Sequence, residues 1–222
     1  MKAGTIIVAD DHPLFRDAMK QAIDGLAEVR LVAMAGDFAE VEKLAGSNDD
    51  VELVLLDLNM PGNNGLSGLL KLRSEHPAIP VVLVSATEDA STIRRALDLG
   101  ASGFIPKSSA MPEIRTAVET VLAGGIWVPS GIDTQEQDPE FADLANRLKS
   151  LTPQQARVLA MLAEGLLNKQ IAYELSVSEA TVKAHVSAVL LKLGVDSRTQ
   201  AVIALGKLSA PVSGQLASES GI

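Results

Sequence analysis

The chain has 222 residues, of which 47% are apolar, a formal net charge of −9 and no cysteine. This composition excludes an intrinsically disordered chain, a disulfide-stabilised scaffold and a thiolate metal site. No apolar run approaches the roughly 18–20 residues of a transmembrane helix, so we expect a cytoplasmic protein that does not contact the membrane.

Short apolar runs alternate with helical patterns through the first half of the chain. Buried runs bounded by turn signals, with helices between them, predict a parallel sheet with crossover helices. The expected fold is a flavodoxin-like, doubly wound α/β domain. The predicted strands cover Thr5–Ala9, 28–33, 53–57, Val81–Ser85 and 103–105. The predicted helices cover 14–23, 38–44, 65–75, 90–99 and 112–123.

Four of the predicted strands end beside side chains that suit phosphoryl chemistry. Asp10 and Asp11 follow the first strand, Asp57 and Ser85 end the third and fourth, and Lys107 follows the fifth. In an open α/β sheet, ligands bind beyond the carboxyl ends of the strands. We therefore expect one pocket with three carboxylates suited to Mg²⁺ and a lysine and a hydroxyl suited to phosphoryl oxygens.

Each of these side chains has a plainer interpretation when it is taken alone. Asp10 and Asp11 could cap the helix that starts near Pro13. Ser85 could be an ordinary polar strand end, and Lys107 an exposed charge. Their joint occurrence at four strand ends, in this order, favours a single pocket.

The second half of the chain is predicted to be an all-α, four-helix domain. It follows a segment rich in turn formers and acids, "VPSGIDTQEQDPE". A short helix is predicted at 141–149, and the four helices of the domain are one opened by Thr152 and Pro153 and those at 168–175, Glu179–Leu193 and 198–207. The predicted limits are 1–125 for the α/β domain, 126–146 for the linker, 147–210 for the helical domain and 211–222 for a disordered tail.

Residues 168–193, "NKQIAYELSVSEATVKAHVSAVLLKL", have helix-turn-helix spacing. Val182, Val186 and Val189 recur at helical spacing and should face the core. Residues 147–210 hold eight basic against four acidic side chains, a net +4 that leaves −13 for the remainder, so this part alone suits nucleic acid. The candidate DNA-binding residues are Thr181, Lys183, Ala184, His185 and Ser187, with Asn168 and Lys169 as backbone contacts.

The motifs carry a resemblance to a known family. "VADDHP", "LLDLNMPG", "VSA" and "GFIPK", in this order, resemble the receiver domain of two-component response regulators over residues 2–124. The segment that runs from "LTPQQARVLAMLAEG" to "VLLKLGV" resembles the LuxR-type helix-turn-helix. Together the two parts resemble the NarL/FixJ class of DNA-binding response regulators.

The resemblance implies a role for each pocket residue. Asp57 would be the phospho-acceptor, and Mg²⁺ would be held by Asp10, Asp11, Asp57 and the backbone carbonyl of Asn59. The implied phosphoryl-contact and switch residues are Ser85, Lys107 and Phe104. The implied partners are a sensor histidine kinase, double-stranded DNA and a second copy of the chain, as a homodimer formed on phosphorylation or on DNA.

We therefore expect a phosphorylation-controlled transcription factor with no enzymatic activity beyond its own phosphotransfer and dephosphorylation. The alternative is a phosphorylation-independent transcription factor whose receiver is only an interaction or dimerisation module. A phosphohydrolase with Asp57 as nucleophile would need a general acid two residues on, where Asn59 stands. The composition of the linker favours control by dimerisation over control by one fixed docked arrangement of the domains.

Overall fold

The computed structural model describes residues 4–24, 26, 31–63, 65–133 and 138–208. In the first half, five strands alternate with five helices, and the second half is helical. The strands are β1 (Thr5–Ala9), β2 (Leu31–Ala35), β3 (Val51–Asp57), β4 (Val81–Ser85) and β5 (Gly103–Pro106). The helices are α1 (Pro13–Ile23), α2 (Phe38–Ser47), α3 (Ser67–Glu75), α4 (Ala90–Asp98), α5 (Met111–Leu122), α6 (Pro139–Lys149), α7 (Pro153–Ala163), α8 (Asn168–Glu174), α9 (Glu179–Leu193) and α10 (Arg198–Gly206). Over these described ranges, no helix has the length and apolar character to cross a bilayer.

The strands form one parallel sheet in the order β2-β1-β3-β4-β5. This order confirms the predicted flavodoxin-like topology. The connections reverse direction between β1 and β3, where Ala9 pairs with Leu56. The crevice at the carboxyl ends of these two strands is where a doubly wound sheet binds its ligand.

The second strand differs from its predicted limits of 28–33. Residues 28–30 lie outside the described part of the chain, and β2 extends to Ala35. The extension arises because Met34 and Ala35 continue the apolar run and pair with Val8 and Ala9 of β1.

Two apolar layers flank the sheet because successive side chains of a strand point to opposite faces. Ile6 and Val8 belong to the cluster formed with α1 and α5, whereas Ile7 and Ala9 belong to the cluster formed with α2, α3 and α4. Burial of one such side chain contributes about 1.5–3 kcal/mol. The two layers therefore hold the strand ends in fixed positions.

The helical domain begins its helices with capping side chains. Thr152, Ser178 and Ser197 cap α7, α9 and α10, and each accepts a hydrogen bond from the N–H three residues on. Helix α6 starts at Pro139, after the capping carboxylate of Asp138, and so begins inside the predicted linker. The domain limits remain a prediction.

The two halves pack against each other through α6 and α7. Helix α6 contacts α3 and α4, and α7 contacts α3. Phe141, Ala145 and Leu148 lie on one face of α6 and join the apolar cluster of α3 and α4. An ion pair adds to this contact, with Arg157 Nε 2.8 Å from Glu75 Oε1. The docked arrangement differs from the expectation drawn from the linker composition, because the linker supplies an amphipathic helix.

Candidate functional site

Two buried carboxylates lie side by side at the carboxyl edge of the sheet. Asp10 directly follows β1, and Asp57 is the last residue of the neighbouring strand β3. Both side chains are only 2% exposed. Like charges buried this deeply must be offset by a cation, by hydrogen bonds or by protonation.

Lys107 supplies the cation. Its Nζ lies 2.7 Å from Asp10 Oδ2 and 3.0 Å from Asp57 Oδ2. The backbone N–H of Lys107 donates to the carbonyl of Ser85 at 2.7 Å, which joins the end of β5 to the end of β4. The Nζ also lies 5.0 Å from the ring centroid of Phe15, within cation–π range. One ammonium group therefore bridges both carboxylates.

Burial and charge move the pKa values of this pair. Burial raises the pKa of Asp57 above its ordinary value, and the Lys107 ammonium and the Asn59 N–H offset only part of that rise. Burial acts in the opposite direction on Lys107, but its hydrogen bonds to Asp10 and Asp57 outweigh it and raise the pKa of Lys107. Lys107 therefore stays charged at neutral pH, and Asp57 is a more basic carboxylate than an exposed aspartate.

A third carboxylate completes the acidic set. The ligand atoms of Asp10, Asp11, His12 and Asp57 all lie within 4.8 Å of one another. His12 Nδ1 lies 2.6 Å from Asp11 Oδ1. Asn59 is exposed next to this set, and its N–H donates to Asp57 Oδ1 at 3.3 Å. Clustered carboxylate oxygens are the donors that a hard cation such as Mg²⁺ prefers, so the residues present fit that ion.

The two remaining predicted pocket residues lie in different surroundings. Ser85 is fully buried at the end of β4, and its Oγ accepts a hydrogen bond from the N–H of Thr87 at 3.0 Å. Its own O–H can still donate. Phe104 is also fully buried, but it belongs to the apolar cluster that contains Ile93 and Ala96 of α4. The structure thus brings Ser85 to the pocket edge and places Phe104 in the core.

Three residues near the pocket were not predicted from the sequence. Phe15 and Arg16 lie in the first turn of α1, where Arg16 donates to the backbone carbonyl of Asp10. Asn63 is buried in the loop after β3 and donates to the backbone carbonyl of Asp57 at 2.8 Å. The first two follow the "DDHP" motif closely enough to be found from it. Asn63 lies in "MPGNNG", which has only the appearance of a turn.

Helix α9 presents its candidate DNA-binding side chains on the side away from the core. Val182 and Val189 are buried, and Val186 is half-buried against the apolar cluster that contains Val182, which confirms the predicted orientation. Lys183 is 66% exposed, and its Nζ lies 3.2 Å from Glu179 Oε1. The exposed candidates on this helix are Thr181, Lys183, Ala184 and Ser187, and His185 is half-buried. The α/β domain therefore leaves this face of α9 open.

The turn before α9 sets the angle between the two helices of the motif. Ser176 adopts a left-handed conformation with φ of 53°, which ends α8 and reverses the chain. Thr181 is engaged locally, since its hydroxyl lies 2.8 Å from the Oγ of the capping Ser178. At the start of α8, Asn168 is half-buried and Lys169 is exposed. Lys169 and Lys183 are therefore the accessible cations of the motif.

Helix α6 links the α/β domain to α9. On one side, the guanidinium carbon of Arg95 in α4 lies 4.7 Å from the ring centroid of Phe141, and Nη2 of Arg95 lies 3.5 Å from Asp138 Oδ2. On the other side, Arg147 donates to the carbonyl of Leu193, the last residue of α9, at 2.9 Å. Helix α6 therefore contacts both α4 and α9.

Family models match both halves of the chain. The response regulator receiver domain matches residues 6–119, and the luxR family of bacterial regulatory proteins matches residues 149–205. The first match alone spans about half of the chain. The order of the two matches is the order of the α/β and helical halves.

Relatives match along nearly the whole chain. A glycerol metabolism activator of Pseudomonas putida is 44% identical over 211 residues, which cover 91% of this chain and 95% of the relative. The nitrate/nitrite response regulator protein NarL of Escherichia coli strain K12 is 34% identical over 202 residues, 90% of this chain and 93% of the relative. The solved complex of the two-component response regulator RcsB with DNA matches with a TM-score of 0.56 at 21% identity, over 95% of this chain and 100% of that one. Because the identity is only 21%, the match to RcsB shows a similarity of fold alone.

Proposed function

The chain belongs to the family of two-component response regulators in which a receiver domain precedes a LuxR-type DNA-binding domain, and we propose that Asp57 is its phospho-acceptor. The observation that carries this proposal is the contact of one ammonium group with two buried carboxylates. Lys107 Nζ lies 2.7 Å from Asp10 and 3.0 Å from Asp57 at the switch point of the sheet. This is the charge arrangement that a transferred phosphoryl group requires.

Asp57 acts as the nucleophile. A carboxylate oxygen attacks the phosphorus, and a P–O bond forms as the bond from phosphorus to the leaving group of the donor breaks. The donor is a sensor histidine kinase, whose imidazole leaves with the electrons of the P–N bond and takes up a proton. Lys107 then pairs with one phosphoryl oxygen as a point charge. The O–H of Ser85 donates to another phosphoryl oxygen.

Mg²⁺ would be held by the carboxylates of Asp10, Asp11 and Asp57 and the backbone carbonyl of Asn59. When bound, the ion offsets the repulsion between the carboxylates and the phosphoryl oxygens. The contribution of the chain is to hold the acidic side chains together before the donor arrives. Two of them are on adjacent strand ends, and Lys107 keeps those two close by charge.

Phosphorylation controls DNA binding through the packing between the two domains. A phosphoryl group on Asp57 takes over the contact with Lys107 and draws Ser85 toward it, at the start of the loop that leads to α4. Helix α4 carries Arg95, which packs on Phe141 of α6. Movement of α4 therefore loosens α6 and changes the placement of the DNA-binding domain. Because Lys183 is already 66% exposed, this control acts on the placement of α9 and not on its uncovering.

Helix α9 lies in the major groove of double-stranded DNA, and Lys169 and Asn168 contact the phosphate backbone. The outward face of α9 offers few polar side chains, so one copy binds weakly. A homodimer formed on phosphorylation or on DNA gains effective concentration at two half-sites. Ile203 of α10 is 59% exposed and supplies apolar surface for such a pairing. Because the protein binds DNA and receives its phosphoryl group from a kinase, we assign it to the cytoplasm.

The alternative, a receiver that serves only as an interaction module, has no comparable support. An interaction module does not need three clustered carboxylates, and burying two of them costs stability that such a module would have no reason to lose. The carboxylates and the lysine that phosphoryl transfer requires converge on one pocket.

The test is intact-mass analysis after incubation with acetyl phosphate and Mg²⁺. We expect one phosphoryl adduct on the wild type and none on Asp57→Asn. Asp98→Asn is the matched control, because Asp98 is a half-buried aspartate of the receiver whose pKa is also raised by burial, but it lies on α4, and the variant should keep the adduct. An adduct on Asp57→Asn as abundant as on the wild type contradicts the proposal.

A further inference from the structure

Asn63 is a buried polar side chain in the loop between β3 and α3, and it is 3% exposed. Its Nδ2 donates to the backbone carbonyls of Asp57 at 2.8 Å and Leu58 at 3.3 Å. Its Oδ1 accepts from the N–H of Gly68 at 2.9 Å. A buried amide is costly unless its donors and acceptor are paired. Both ends of this amide are paired with backbone groups, two of them at Asp57 and Leu58 and the third at the start of α3.

The donor end of Asn63 holds the backbone that carries the pocket. The residues from Asp57 to Asn59 supply both the acceptor carboxylate and the carbonyl assigned to Mg²⁺. Because a peptide unit is planar, fixing the carbonyl of Leu58 also fixes the N–H and the Cα of Asn59, which belong to the same unit. The carbonyl of Leu58 is held a second time by the N–H of Gly65 at 3.2 Å. Asn63 therefore helps to hold the Cα from which the Asn59 carbonyl extends.

The acceptor end of Asn63 caps α3. Leu66 occupies the capping position of this helix and offers no side-chain acceptor, so Asn63 Oδ1 takes that role for the N–H of Gly68. A Cβ at Gly68 would clash with Asn63 Oδ1 and would lie 2.8 Å from the Phe38 ring. The glycine thus makes room for the amide. The N–H of Leu66 donates to the carbonyl of Leu208 at 3.2 Å, so the same helix start touches the DNA-binding domain.

We propose that Asn63 is a positioning residue of the phosphoryl-acceptor site, and that it sets the affinity of the site for Mg²⁺ by fixing the backbone from Asp57 to Asn59. The inference rests on the proposed function, because it assigns Asn63 a task only if these residues hold the ion. Residues that orient metal ligands typically change metal affinity by about 10- to 100-fold when they are replaced.

The experiment compares Asn63→Ala and Asn63→Met with Asn48→Ala in the full-length protein. The methionine variant removes the same hydrogen bonds but leaves the space filled. Asn48 is a matched control at the opposite end of β3, where its Nδ2 donates to Thr5 Oγ1 at 2.9 Å and its Oδ1 accepts from the N–H of Asp50 at 3.1 Å. Loss of stability alone should affect all three variants.

Two quantities are measured for each variant. The Mg²⁺ dissociation constant is obtained by calorimetry without a phosphodonor, and the phosphorylation rate with acetyl phosphate is followed across a Mg²⁺ titration. We expect both Asn63 variants to raise the dissociation constant by about tenfold. The Mg²⁺ concentration at half-maximal rate should shift by the same factor, and the rate at saturating Mg²⁺ should change less. Asn48→Ala should leave both quantities as in the wild type.

The outcomes separate this proposal from the proposed function. If the wild type binds no Mg²⁺ and takes no phosphoryl group, the proposed function fails. If the wild type behaves as expected and folded Asn63 variants keep its Mg²⁺ affinity, Asn63 is a structural residue and the proposal is overturned. It is overturned equally if Asn48→Ala weakens Mg²⁺ as much, or if neither Asn63 variant folds.

Discussion

Each of the two functional regions contains a lysine that is paired with a carboxylate, but one pair is largely buried and the other is exposed to solvent. Lys107 is 19% exposed and contacts two carboxylates that are each 2% exposed. Lys183 is 66% exposed and contacts Glu179, which is itself 49% exposed. An exposed pair contributes about 0–1 kcal/mol, whereas a buried charge that loses its partner is costly. The buried Lys107 therefore stabilises the two carboxylates of the phosphoryl site. The exposed Lys183 is held only weakly by Glu179, so it can exchange that partner for a DNA phosphate.

The largest expected effect comes from Lys107→Ala. At pH 7 the variant should lose about 3 kcal/mol of unfolding free energy, because two buried carboxylates lose their only shared cation among the described contacts. The pKa of Asp57, already raised by burial, should then rise further. As pH falls through that higher pKa, Asp57 takes up a proton and the loss should shrink. Urea unfolding at pH 7 and pH 5 measures it.

Lys183→Ala is the control for that measurement, since its exposed pair should change stability by about 0.5 kcal/mol or less. An equal loss of stability in the two lysine variants, or a loss in Lys107→Ala that does not depend on pH, would contradict the contrast between the two regions.

The polar end of the receiver could be predicted from the sequence for a simple geometric reason. Parallel strands bring their carboxyl ends to one edge, so Asp10, Asp57, Ser85 and Lys107 had to approach each other once the strands were recognised. Asn63 could not be found in this way. Its partners are backbone groups, and its burial depends on how the loop folds back over β3.

The contact between the domains was not predictable on the same basis. Periodicity in the sequence indicates that α6 has an apolar face, but it does not say which surface covers that face. The surface that covers it is formed by α3 and α4, where Phe141 packs against Arg95 and the apolar cluster. The composition of the linker predicts a flexible segment, but the packing of the apolar face of α6 against the α/β domain fixes part of that segment as a helix.

The next expected effect concerns DNA. Lys183→Ala should weaken binding to a random-sequence duplex and reduce the slope of log affinity against log salt by about one unit, because one phosphate contact is lost. Glu179→Ala should not weaken binding, since it removes only the carboxylate next to Lys183. Fluorescence anisotropy across a salt series distinguishes the two. Unchanged affinity and slope in Lys183→Ala would remove this lysine from the interface.

Asp57→Asn should stabilise the protein at pH 7 in Mg²⁺-free buffer. Burial raises the pKa of Asp57 in the folded state above 3.8, so ionisation of Asp57 opposes folding. That cost is absent below the unfolded value, grows as pH rises toward the folded pKa, and persists above it. The stabilisation should therefore vanish near pH 3. Thermal unfolding at both pH values tests it, and a less stable variant at pH 7 would contradict the direction of the shift.

The smallest expected effect lies between the two regions, at the ion pair of Arg157 with Glu75. Arg157 is 52% exposed and Glu75 is 17% exposed, so the pair should contribute only about 0.5 kcal/mol to a contact that is mainly apolar. Arg157→Ala should slightly favour the undocked arrangement. Because coupling is reciprocal, the DNA affinity of the unphosphorylated protein should rise by about twofold, and the gain on adding beryllofluoride should fall by the same factor.

Glu75→Ala should give the same change as Arg157→Ala, and the double variant should show no larger change than either single variant. Additive changes in the double variant would show that the two residues do not act as a pair, and that docking depends on α6 alone.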